Sequence, residues 1–129
     1  MNNPATLHIS IEELDATAFA PFGVVIRQPQ SAAEGGGPAW SWWGEQALLP
    51  AEPRAYQVGY LALQPAPLRF DWAERHMQSV ELLLPLSGDC LVYVAPAETP
   101  EQPDRLPPLE SFRAFRVRAG EGVVLHKGV

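Results

Sequence analysis

The sequence predicts an all-β protein, a small antiparallel barrel with one short N-terminal helix. Three observations lead there. Fourteen prolines and ten glycines divide 129 residues into short pieces, a punctuation that suits many strands and tight turns and leaves little room for long helices. Several pieces alternate in polarity: Leu68, Phe70 and Trp72 against Arg69 and Asp71, and Phe115 and Val117 against Arg116 and Arg118, as in strands with one buried face. Leu82 to Leu84 and Leu91 to Val94 are instead apolar on both faces, as expected where a barrel packs on a second sheet or a partner subunit.

Taken in order, the helix is predicted over residues 11–19. Ser10 followed by Glu13 reads as a capping box, Pro21 with Gly23 would end the helix, and it would lie as a lid over one end of the barrel. Strands are predicted over 24–27, 55–64, 68–76, 80–86, 90–95, 112–118 and 123–126. Between them, 28–38 with Gly35-Gly36-Gly37 reads as a loop, because no Lys-Ser or Lys-Thr follows the glycines to make a phosphate cradle. Residues 97–108, rich in Pro and charge, read as a second loop. Trp40, Trp42 and Trp43 read as a plug at the barrel's open end or as a subunit contact, ahead of a ligand-lining role.

A chain of this length with 47% hydrophobic residues supports one core, so 1–129 is read as a single domain. The formal net charge of -6, with Lys127 the sole lysine, argues against a nucleic-acid partner. No apolar run is long enough to span a bilayer and the N-terminus lacks the features of a signal peptide, so the expected location is the cytoplasm, away from membranes. Cys90 is the single cysteine; it cannot form an intramolecular disulfide and is read as a small buried hydrophobe.

Chemistry concentrates in Ala73-Glu74-Arg75-His76 and the run Val80-Glu81-Leu82-Leu83-Leu84. In an extended strand Glu74 and His76 share a face and Arg75 takes the other. A turn at residues 77–79 would return the chain so that His76 meets Glu81 across a hairpin. The competing reading is a hydrogen-bonded histidine near a core, and Glu74 could equally pair with arginines at the barrel rim.

The spacing of His76, Glu81 and Gly88 resembles the second half of the first signature motif of the cupin superfamily, with Glu74 where a metal-ligating histidine often stands. The likeness extends along the chain. Residues 14–26 (LDATAFAPFGVVI), Gly59-Tyr60-Leu61, Glu74-Arg75-His76, Leu84-Pro85-Leu86, 92–96 (VYVAP), Arg113-Ala114-Phe115 and 120–128 (GEGVVLHKG) follow one another as in the ureidoglycolate lyase family. That resemblance implies a cupin-like antiparallel β-barrel, or double-stranded β-helix, and a homodimer. It implies cleavage of ureidoglycolate to glyoxylate and urea, a late step of allantoin and purine nitrogen catabolism.

Two departures accompany the resemblance. Family members usually continue past the position of Gly128 into a small residue, a Trp and a His, whereas the sequence given stops at Val129. A metal site completed by that histidine is therefore expected only in a longer version, where nickel, manganese or zinc would be the ion and His76 and Glu81 its ligands. At Ser41-Trp42-Trp43-Gly44 the family has an Asn-rich turn, and the two indoles suggest a different or less polar ligand.

Cleaving a carbon bonded to both a hydroxyl and a urea nitrogen needs a base for the hydroxyl proton, an acid for departing urea and a cation or donors for the carboxylate. His76, Glu81 and Glu74 are the catalytic candidates, His76 first because an imidazole titrates near neutrality. Arg75, His126 and Lys127 are the candidates for binding the substrate. Since neighbours in a strand face opposite ways, at most one of His126 and Lys127 should reach the pocket. His8 belongs to no motif and reads as a surface residue. The alternative is a diverged, non-enzymatic cupin that binds a small carboxylate or another metabolite, with the acidic cluster structural.

Overall fold

The computed structural model describes residues 6–50, 56–97 and 105–129. Strands dominate: β1 (Ile11–Glu13), β2 (Gly23–Ile26), β3 (Gly35–Gly37), β4 (Trp40–Trp42), β5 (Glu81–Leu83), β6 (Cys90–Val94), β7 (Arg113–Val117) and β8 (Gly122–Leu125), with one short helix α1 (Ala16–Phe19) and a 3-10 turn at Leu109–Ser111. The all-β class and the short N-terminal helix both hold.

The strands form two three-stranded sheets, β1-β7-β6 and β2-β8-β5, and the hairpin β3-β4. β7 and β8 lie at the centres of their sheets and follow each other directly. Glu121 N–H donates to the Arg118 carbonyl at 2.9 Å, and Gly120 takes φ +86°, a conformation that favours glycine. This corner carries the chain from one sheet into the other. Both sheets bury side chains in one core: Val92 and Val94 from β6, Phe115 and Val117 from β7 and Val123 from β8, with Leu14, Phe19 and Phe22 from the N-terminal segment. Phe19 meets Phe115 edge-on at 5.0 Å between centroids, and Phe22 lies 5.8 Å from each of them, spacings at which aromatic quadrupoles attract.

The helix is shorter than predicted. Its N-cap is Asp15, whose side chain accepts from the Ala18 N–H at 2.9 Å, and Ser10 and Glu13 form no capping box because Ile11–Glu13 is a strand. β1 pairs in parallel with β7, placing Ile11 opposite Ala114 and Glu13 opposite Arg116. Its acids are claimed by arginines. Glu12 holds Arg113 through two hydrogen bonds of 2.7 and 2.5 Å, and Glu13 lies 2.7 Å from Arg118 and 3.8 Å from Arg116. Tertiary pairing outweighs local helix signals here.

Three further expectations change. The described part of predicted strand 55–64 and all of 68–76 contain no strand. Val58, Tyr60 and Leu61 instead stand exposed, at 94%, 81% and 76%, and no strand among the described residues pairs with them. Conversely Gly35–Gly37, read as loop, pairs with Trp40–Trp42; three glycines offer no side-chain signal for a strand. Trp40 and Trp42 are 62% and 60% exposed, so they plug nothing. Of the 97–108 loop, residues 98–104 lie outside the described residues.

Cys90 is half-buried against the core, and burial, with a smaller contribution from Asp89, pushes its thiol up. No helix among the described residues is long and apolar enough to cross a membrane.

Candidate functional site

Glu81 opens β5 and is paired with Leu125 of β8. Alternation then puts Glu81 on the side of Leu83, which packs on the core, while Leu82 faces out. The core face of β5 thus ends in a carboxylate at the edge of the apolar interior. His76 arrives from the other direction. After its segment the chain bends at residues 77–79, where a turn was predicted, although 74–76 is extended chain outside any sheet. A backbone hydrogen bond fixes the segment: Gly128 N–H donates to the His76 carbonyl at 2.9 Å. Gly128 is buried with φ +82°, so the turn closing β8 depends on a glycine to hold the histidine's backbone in place.

The result is a convergence of three groups. His76 Nε2 lies 3.9 Å from Glu74 Oε1 and 3.8 Å from Glu81 Oε2, and one ligand atom from each residue falls within 4.8 Å of the other two. Glu74 and His76 are exposed and Glu81 is half-buried. One imidazole nitrogen therefore faces two carboxylates at distances just beyond hydrogen bonding, leaving room for a proton, a water or a substrate atom to bridge them. A histidine nitrogen with two carboxylate oxygens is also a donor set suited to zinc, manganese or nickel. Small side-chain rotations would bring the three atoms within the span of one ion.

Glu74 and Glu81, but not the ring of His76, line a cavity of about 590 Å³. Its walls are apolar. Phe70 stacks on Tyr93 with centroids 3.7 Å apart and planes 9° from parallel, and tilts against Phe112 at 5.6 Å. Trp72, Leu109, Leu125 and Val129 complete much of the lining. The Tyr93 hydroxyl donates to the Trp72 carbonyl at 3.0 Å. Burial, and then the charges of Glu74 and Asp71, push its pKa up, so Tyr93 stays a neutral donor.

Arg75 also lines the cavity, although alternation assigned it to the opposite face from Glu74; outside a sheet the strict two-residue period no longer applies. Its Nη2 donates to the Arg105 carbonyl at 2.6 Å, while Nη1 is buried without a hydrogen-bond partner among the described residues. His126 and Lys127 are different. Both follow the end of β8, are exposed and do not line the cavity. His126 serves the fold through its backbone, its N–H donating to the Phe22 carbonyl at 2.9 Å. Trp40, Trp42 and Trp43 are also absent from the lining. The aromatic wall of Phe70, Tyr93 and Phe112 was not singled out in sequence as part of a site. The alternation of Phe70 and Trp72 signals a buried face, but nothing local says that this face closes a cavity.

His8 is exposed and borders a second hollow of about 660 Å³ on the other side of Phe70 and Tyr93. No curated protein matches the chain. The family model described as ureidoglycolate lyase matches residues 6–129, nearly the whole length, and the chain belongs to the ureidoglycolate lyase family.

Proposed function

We propose that the protein cleaves ureidoglycolate to glyoxylate and urea, serving nitrogen recovery from purines by way of allantoin in the cytoplasm. The observation that supports this most is the meeting of Glu74, His76 and Glu81 at the rim of a cavity with room for a small acid, in a chain of this family. The reaction moves one proton off the substrate hydroxyl and one onto the departing urea nitrogen, so the enzyme needs a base and an acid within reach of each other. Glu81, inside the cavity, accepts the hydroxyl proton as the carbonyl of glyoxylate forms and the carbon to nitrogen bond breaks. Protonated His76 supplies the proton that urea requires. Proton return from Glu81 to His76, through a water bridging their 3.8 Å separation, restores the starting state.

Glu74 orients His76 from the solvent side; in place of these proton transfers, Glu74, His76 and Glu81 would together hold a divalent ion such as nickel, manganese or zinc. Such an ion, when bound, supplies Lewis acidity toward an oxygen of the substrate. A homodimer belongs to the same reading. Val58, Tyr60, Leu61 and Leu68 are exposed on a stretch with strand-forming composition and no strand partner among the described residues, and a second copy would cover them.

The test is glyoxylate release from ureidoglycolate, with and without each metal. His76→Ala should lower kcat by about 10²–10⁴-fold, the usual worth of a positioned acid or base, with the far-ultraviolet circular dichroism unchanged. Full turnover by that variant would rule out the assignment.

A further inference from the structure

We propose that Arg75 is the anion anchor of the cavity and sets its specificity for carboxylates; the inference rests on the lyase reading for the identity of the acid. Three observations carry it. Arg75 is the one lysine or arginine lining the cavity among the described residues. The same lining contains Asp71, Glu74 and Glu81, so an anionic substrate entering without a countercharge would meet only repulsion. The guanidinium is also half-engaged. Nη2 is held by the Arg105 carbonyl at 2.6 Å, while Nη1 is buried with no acceptor among the described residues.

A buried donor on a charged group that lacks an acceptor is costly, and native proteins seldom retain one without a use. The tether on Nη2 fixes the plane of the guanidinium and leaves the other nitrogen as the free position for a carboxylate oxygen. For a carboxylate in the cavity to reach it, the guanidinium would turn about its last side-chain torsions while Nη2 keeps its carbonyl. Lys127 and His126, the other cationic candidates in the sequence, are outside the cavity, which leaves Arg75 to meet the substrate's charge. Glu81 then faces the hydroxyl end of the same small molecule from within the cavity, with His76 beside it at the rim. The ligand class that fits is a two-carbon acid with an oxygen on the carbon next to the carboxylate, bearing a neutral amide-like group against the aromatic wall.

The experiment uses protein freed of metal by chelator and titrates two unreactive probes by calorimetry: oxalurate, which carries the carboxylate, and its neutral amide. The wild-type chain should bind oxalurate more tightly, by about 10- to 100-fold, the range expected for a hydrogen bond between charged groups. Arg75→Gln should erase that preference and Arg75→Lys should retain part of it. Both replacements keep a polar head at this half-buried position, and melting curves report their folding. An equal affinity of the wild-type chain for the two probes overturns the proposal without recourse to any variant, and so does a preference that survives in Arg75→Gln. Absence of ureidoglycolate turnover with an Arg75-dependent preference intact would sink the lyase reading and leave the anchor standing.

Discussion

Glu12 and Arg113 show how much one residue pair can settle. The guanidinium hydrogen bonds to both Glu12 oxygens, donates to the Ala18 carbonyl at 3.0 Å and lies 4.9 Å from the centroid of Phe115 and 5.7 Å from that of Phe22. One side chain thereby ties β1, the helix and the aromatic core together. The hydrogen bonds from Arg113 hold the Glu12 carboxyl below its ordinary value. A carboxylate whose folded pKa is depressed adds stability that is complete above its unfolded pKa and is lost as the pH falls through the folded one. Glu12→Gln should therefore melt at a lower temperature than the wild type at neutral pH, and the gap should close as the pH drops below the usual carboxylate range. Melting curves across pH check this, and a gap that persists in acid would mean that the charge is not what matters. At the same scale the candidate site was legible. Glu74, His76 and Glu81 could be singled out because polar groups stood beside an apolar run, and a turn of a few residues was enough to bring them together.

Elements are decided by pairing more than by propensity. Residues 68–76 alternate as a strand should, yet form none, while three glycines do. Backbone hydrogen bonds need a partner edge, and the sequence of one segment says nothing about whether an edge will be free. β2 shows how close such pairing can be. Gly23 lies opposite Leu125, and a Cβ built there would stand 1.9 Å from the Val124 carbonyl oxygen, which belongs to backbone and cannot rotate away. Gly23→Ala should cost about 1–3 kcal/mol, the range for overpacking a tight site, read as a lower denaturant midpoint at unchanged slope. A variant as stable as the wild type would show that β2 can shift away from β8. The strand β8 matters twice over, since it aligns Glu81 through Leu125 and leads into the turn that holds His76.

For the whole molecule, the core and the exposed surface point to different scales of assembly. Phe19, Phe115, Val117 and Val123 are fully buried, and they come from α1 and both sheets, so one chain closes its own interior. The stretch from Tyr56 to Leu68 is the opposite, with large apolar side chains in water. If a second copy covers it, light scattering should give twice the chain mass, and Leu61→Glu should yield monomers with an intact fold. A wild-type chain that stays monomeric at tens of micromolar would remove that proposal.

The sequence by itself determined the all-β class, the family and the grouping of Glu74, His76 and Glu81, because these depend on composition, on motif order and on contacts across a single turn. Tertiary structure decided the rest. It turned the start of the predicted helix into a parallel strand, left two predicted strands unpaired, brought Arg75 to the cavity and left His126 and Lys127 outside. The reason is physical in each case. Which backbone edge is available, and which side of a segment faces the interior, depend on packing between residues far apart in the chain, and no local pattern encodes those distances.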